Sequence, residues 1–352
     1  MHDQPIPLAA FPSDCRVHSP QVAERIAALC KPPGSLGAFE AIAARLCEIQ
    51  RTLKPSTKPR HVSIFAADHG VVTEGVSAWP SSVTKAVVAL MSTQRTASGV
   101  FAKTLDCHYE VVDVGLMEPA AVCAGETRLI QAAKRRGTGN LLHEPAMLAL
   151  DFDHTWNVGT HRATCAMKAG SKLLIGGEMG IGNTTSASCL VSLLTGTDPL
   201  KVVGRGAGID DAGLLRKQQV VSAAIQRVRS LQLRSPIEIA CQLGGLEIVA
   251  LAGFYAEGVK LGATIVVDGF IATVAALLAE SVCPGTSRAL IAGHRSVEPG
   301  HVAALIALGL VPVLDLQMRL GEATGALAAL PLIDLAAAMV CDMATLDDLR
   351  LE

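Results

Sequence analysis

The chain has 352 residues, of which 50% are hydrophobic, 18% charged and 3% aromatic. That balance excludes a disordered or low-complexity protein, and at this length roughly three quarters of the unfolded chain's surface can be buried. Lys and Arg number 30 against 32 Asp and Glu, a formal net charge of -2; with no basic block and few rings to stack on bases, a general nucleic-acid surface is excluded too.

In chain order, residues 17–53 carry helix-type periodicity without a strand, and from residue 62 the pattern changes. Short apolar runs at 62–67, 110–114, 172–175, 264–267, 289–292 and 310–314 each end abruptly in Asp or Gly. Runs of aliphatic and β-branched residues without polar alternation predict strands buried on both faces. Between them the spacing predicts helices over 82–102, 160–169, 184–194, 211–229, 246–260, 271–279 and 299–308. Strand alternating with helix implies an α/β fold with a doubly wound, mainly parallel sheet, whose ligands sit at the carboxyl ends of the strands. Pro312 marks the last run as an edge or imperfect strand. Residues 323–352 are again helical, so the two terminal segments are expected to form a small helical domain (1–55 and 321–352) beside a large one (56–320).

The longest apolar stretches, 263–279, 302–314 and 324–333, are short or broken by Asp268 and Pro331. None is expected to supply the ~20 uncharged residues of a membrane span. Met1-His-Asp-Gln-Pro5 carries an acid and no Lys or Arg precedes Arg16, which does not read as a signal peptide. The ten cysteines lie singly, at least fifteen residues apart, unlike a zinc knuckle or a disulfide scaffold. Reduced, mostly buried thiols and a cytoplasmic location are the expectation.

The strongest local signal is Gly176-Gly-Glu-Met-Gly-Ile-Gly-Asn-Thr-Thr-Ser186. Here a strand runs into a glycine-rich turn and then a helix, whose free N–H groups suit an anion. The spacing approaches a nucleoside-triphosphate loop, but Asn183 stands where the Lys must be; a phosphomonoester is the better guest, and a tight strand–helix turn without a ligand the bland alternative. A second such turn, Gly204-Arg-Gly-Ala-Gly-Ile-Asp-Asp211, precedes a helix carrying Arg216 and Lys217, with Asp210 its natural N-cap. Neither Asp210 nor Asp211 has a further ligand at metal spacing. In Leu316-Gln-Met-Arg-Leu-Gly-Glu322, one carboxylate sits among apolar and small neighbours. Desolvated there, it would have a raised pKa and suit proton abstraction near neutrality; capping, or pairing with Arg319, is an equal reading. Asp68-His69-Gly70 and Gly293-His294-Arg295 each put a His at a strand's carboxyl end, and with no G-x-S-x-G in the chain positioning is the plainer role for them.

Taken together and in order, segments at 31–37, 67–71, 176–186, 204–211, 241–247, 267–270, 293–296 and 320–325 resemble the nicotinate-nucleotide–dimethylbenzimidazole phosphoribosyltransferase family, which makes α-ribazole 5′-phosphate for the lower ligand of cobalamin. One departure is Ala207, where a Thr is expected. The resemblance implies a Rossmann-like large domain, a small helical domain, a homodimer, and no metal or other cofactor. It implies nicotinate mononucleotide and 5,6-dimethylbenzimidazole as partners, with no nucleic acid and no membrane. It carries the general base onto Glu322 and a second essential carboxylate onto Glu178. Ribotide contacts fall on Gly177, Gly180, Ile181, Gly182, Asn183, Gly204, Gly206, Gly208 and Lys217. Ser82 and Leu320 fall to the base pocket, which is expected to be an aliphatic slot of Leu, Met and Val, and positioning to His69, Asp268 and His294. Two readings stay open beside it: the same fold and donor with another acceptor (adenine, another benzimidazole or a phenol), or a non-catalytic ribotide-binding protein, against which Glu178 and Glu322 both speak.

Overall fold

A computed structural model describes residues 19–120 and 128–349; Met1-His-Asp-Gln-Pro5, Cys15 and Cys123 lie outside the described residues. Six strands, β1 (Arg60–Ala67), β2 (Cys107–Gly115), β3 (Leu129–Gln131), β4 (Leu173–Met179), β5 (Thr264–Val267) and β6 (Leu290–Ala292), form one sheet in the order β3-β2-β1-β4-β5-β6. Every ladder is parallel. The doubly wound sheet expected from the apolar runs is therefore the one observed. Its strand order reverses between β1 and β4, and a crevice opens beyond the carboxyl ends at such a switch point. All eight residues of β1 are buried, as are the four of β5, which is why neither run alternates with polar residues.

Some elements differ from expectation. The span 82–102 breaks into helices Ser82–Ser92 and Ala97–Thr104, with Gln94 left-handed between them (φ 55). The helix expected from 160 begins at Ala149, where Asp151 accepts the Leu148 N–H at 3.0 Å. The run at 310–314 makes only a bridge, His294 to Leu314, since Pro312 has no N–H to extend the ladder. β3 went unread because three half-exposed or exposed residues leave no pattern.

The chain divides into two compact units, residues 1–57 with 331–352 and residues 58–330. In the first, helices Pro20–Ala28 and Ala38–Gln50 join the C-terminal segment. Leu29 bridges Thr345, the Arg25 guanidinium donates to Val340 O at 3.0 and 3.1 Å, and Thr57 Oγ1 donates to Asp334 at 2.6 Å. The Lys31-to-Gly37 turn belongs here, with the Lys31 ammonium 2.9 Å from Glu40. Pro331, expected to break the apolar run, instead lies inside helix Thr324–Asp342. That helix is long and apolar enough to cross a bilayer by length and composition, yet 56% of the stretch is buried within the protein. Of the eight described cysteines three are buried, four half-buried and Cys283 exposed.

Candidate active site

The second unit holds a cavity of about 610 Å³ at the carboxyl ends of β4, β5 and β6. Glu178, on β4, and Asp268, just after β5, reach it, and Glu322 faces them from the segment before helix Thr324–Asp342. All three are at least nine-tenths buried. Gly321, Glu322 and Ala323 are successively left-handed (φ 80, 59 and 66). Such backbone costs non-glycine residues free energy and persists only where the surroundings impose it.

Two carboxylates supply the constraint. Glu178 accepts the backbone N–H of Glu322 and an amide proton of Asn183. Asp268 Oδ1 accepts the N–H groups of Gly325 and Ala326 at 2.7 and 2.9 Å, satisfying donors at the start of the helix that have no partner within it. Here the chain crosses the His294 imidazole so closely that a Cβ on Gly325 would lie 1.8 Å from its Cδ2. His294 Nε2 is 3.8 Å from Asp268.

Burial, reinforced by neighbouring carboxylates, sets the electrostatics. Burial, then Asp268, pushes the Glu322 pKa up to about 7, and its Oε2 has no hydrogen-bond partner. Burial, followed by the charges of Glu247, Asp268 and Glu322, pushes Glu178 up to about 8. Toward the other end, Gly182 (φ 94) caps helix Asn183–Thr195. Lys217 lies fully buried, donating to Thr184 Oγ1 at 2.7 Å and Gly204 O at 3.1 Å; burial lowers its pKa to about 8 against the pull of Glu298. Glu298 in turn accepts the Gly206 N–H at 2.8 Å, and Arg319 donates to Gly206 O at 3.2 Å. The site thus pairs an anion cradle of glycine turns and cations with a cluster of acids.

A model of a phosphoribosyltransferase family matches residues 14–350. The nicotinate-nucleotide–dimethylbenzimidazole phosphoribosyltransferase of Chromobacterium violaceum is 45% identical over 92% of this chain and 93% of its own length. The enzyme of that name from Thermus thermophilus is 44% identical over 92% and 95%. The crystal structure of CobT from Thermus thermophilus superposes with a TM-score of 0.88 at 43% identity, over 93% of this chain and 96% of that one. The chain belongs to the nicotinate-nucleotide–dimethylbenzimidazole phosphoribosyltransferase family.

Of the residues singled out by sequence, Glu178, Gly180, Ile181, Gly182, Asn183, Gly206, Asp268, His294, Leu320 and Glu322 line this cavity. Gly177, Gly204, Gly208, Lys217 and His69 do not. Lys217 meets the cavity lining at Thr184 and beside Gly206, and a Cβ on Gly177 would meet Ala323 at 2.8 Å, so that glycine serves the close approach of the Glu322 turn. Ser82 lines a different cavity, of about 370 Å³, with Asp68, Lys85 and Met117. In the large one the ring-bearing residues Trp79, Phe101, Phe270 and His294 stand beside aliphatic ones, Val76, Met318 and Leu320 among them. Arg319 is directed at Gly206 rather than paired with Glu322, and Asp210 caps its helix through the Gly213 N–H at 2.8 Å, as read.

The sequence reading assigned no role to Glu247 or Glu298; each opens or precedes a helix, where an acid reads as a cap. At the other ends of β1 and β2, ligand atoms of His61, His108 and Glu110 lie within 4.8 Å of one another. Glu110 is already gripped by the Arg162 guanidinium and Ser63, a charge balance that needs no cation.

Proposed function

We propose that this chain transfers the phosphoribosyl group of nicotinate mononucleotide to 5,6-dimethylbenzimidazole, releasing nicotinate and forming α-ribazole 5′-phosphate, with Glu322 as general base. The observation that carries the assignment is the Glu322 carboxylate itself: buried, lining the cavity, one oxygen unpartnered, with a pKa of about 7. A base with a pKa near the working pH combines availability with driving force.

Nicotinate leaves C1′ by taking the bonding pair onto its pyridinium nitrogen, which becomes neutral, so departure needs no general acid. Positive charge builds at C1′ and the ring oxygen, and the carboxylates of Glu178 and Asp268 favour it electrostatically. The benzimidazole nitrogen attacks the opposite face, inverting C1′; the ring becomes cationic and Glu322 takes the N–H proton from its second nitrogen. The 5′-phosphate is assigned to the Gly180-to-Asn183 turn, the Gly206 turn and Lys217, whose distance from C1′ lets them position the sugar without joining the chemistry. The pyridinium nitrogen of the bound ribotide, beside Glu178, draws that group toward its ionised form.

The same reading carries a homodimer in the cytoplasm; sedimentation of the purified chain tests the first part. The reaction is tested by incubating the protein with both substrates and following nicotinate and α-ribazole 5′-phosphate. Absence of both products removes the assignment, and binding without turnover leaves a ribotide-binding protein.

A further inference from the structure

His69 and Glu247 form a buried pair that the reaction above does not use. His69 follows β1 at its carboxyl end, Glu247 lies in the first turn of helix Leu246–Lys260, and neither lines the cavity. His69 Nε2 is 2.7 Å from Glu247 Oε1, and both side chains are wholly shielded from solvent. His69 Nδ1 and Glu247 Oε2 have no hydrogen-bond partner.

Stability does not account for such a pair, since a half-satisfied buried ion pair adds little over apolar residues of like volume. Its surroundings do. A Cβ on Gly180 would lie 3.2 Å from His69 Nε2, and one on Gly182 3.3 Å from His69 Cβ. Gly180 and Gly182 are in the turn assigned to the phosphate, so the histidine packs against that turn together with the Ala67 carbonyl and Val72, which come nearer still, at 2.6 and 2.7 Å. On the other side, a Cβ on Gly245 would come within 2.6 Å of His69 Cε1 and 2.7 and 2.8 Å of the two Glu247 oxygens. That glycine is what lets carboxylate and ring meet. Glu247 fixes the ring, and the ring supports the turn from beneath.

We infer that His69 and Glu247 are positioning residues for ribotide binding, setting the height of the 180–183 turn so that its N–H groups meet the 5′-phosphate. The inference rests on the proposed assignment of that turn. Support of this kind is felt in ground-state binding of the phosphate and leaves the acceptor untouched.

The test titrates nicotinate mononucleotide, and separately inorganic phosphate, onto the full chain and its variants, read through the fluorescence of Trp79 at the cavity wall. Glu247→Ala and His69→Ala are expected to raise both Kd values at least about tenfold, because a turn displaced by an ångström no longer presents its donors. The ribotide KM rises in step, while the benzimidazole KM stays within about twofold. Glu247→Gln, whose amide oxygen still accepts the ring proton, restores most of the affinity. Should Glu247→Ala fail to fold, His69→Gln provides the same reading. Unchanged ribotide and phosphate affinity in folded variants, or a Gln variant as impaired as Ala, overturns the positioning role while leaving the reaction assignment intact. A wild-type chain that binds ribotide and phosphate nowhere removes both.

Discussion

Replacing Glu322 with Gln is expected to cut turnover by orders of magnitude and, above neutral pH, to make the protein more stable. The unfolded chain ionises this group near 4.5, the folded one near 7. Between those values the native state holds a proton that the unfolded state releases, so native stability falls as pH rises through that window. Above pH 7 the whole penalty is present. A displacement from 4.5 to about 7 corresponds to about 3 kcal/mol, and because the amide carries a burial cost of its own, a gain of about 2 kcal/mol is the working figure. At roughly 2 °C per kcal/mol for a unit of this size, Glu322→Gln should melt about 4 °C higher than wild type at pH 8 and nearly together with it at pH 4.5. Turnover at pH 8 should fall by about 10²–10⁴, the usual worth of a positioned base, while ribotide binding persists. Wild-type kcat/KM should itself decline as pH drops below about 7 and Glu322 becomes protonated. A variant no more stable at pH 8 than wild type would refute the account of a desolvated carboxylate held ready to ionise, and unchanged turnover would remove Glu322 as base.

Three further outcomes separate the parts of the site. Asp268→Ala releases the Gly325 and Ala326 N–H groups and should cut kcat by about tenfold or more through misplacement of Glu322, with ribotide Kd within about threefold in the same fluorescence titration; an effect on Kd alone would contradict this. Lys217→Met keeps the buried volume but loses the ammonium, and steady-state kinetics should show the ribotide KM raised about tenfold or more, with the acceptor KM unmoved; a change in the acceptor KM alone would exclude the phosphate role. Trp79→Ala should raise the acceptor KM by a few fold, matching about 0.5–1.5 kcal/mol for an aromatic contact, and leave the ribotide KM unchanged. The opposite pattern would place the ribotide, not the base, against the indole.

What could be read from sequence follows from the range of the interactions that fix each feature. β5 and the helix Leu246–Lys260 fall where the residues place them, because an apolar run and a 3.6-residue stripe are local. The glycine turns at 180–182 and 204–208 were visible for the same reason. By contrast, the His69–Glu247 contact spans 178 positions and the Gly206–Glu298 contact 92, so only the folded sheet reveals them. Ser82 shows the limit from the other side: that it lies on the cavity of Asp68 and Met117 while nearby Trp79 lines the large one is set by tertiary packing that no local pattern carries. The left-handed Glu322 and Ala323 are equally silent, since no residue type there announces positive φ.

The strand order explains why opposite charges can share this cavity. Reversal between β1 and β4 brings the glycine turn after β4 over the end of β1, where the helix beginning at Asn183 offers its N–H groups. β5 then sets Asp268 beside β4, opposite Glu178, and the turn carrying Glu322 is drawn over both by their hydrogen bonds. The glycine turn that follows β4, Glu178 on β4 itself and Asp268 after β5 therefore converge at one end of the sheet. That juxtaposition suits the proposed substrate, with a phosphate at one end and a pyridinium ring at the other. Burial, joined by the charge of Asp268 on both and of Glu247 on Glu178, holds Glu178 and Glu322 back from ionising, and in the proposed reaction the positive charge appearing at C1′ as nicotinate departs favours their ionised forms. In the proposed reaction the acids serve because burial, ahead of their neighbours' charge, keeps them poised to ionise as that positive charge develops.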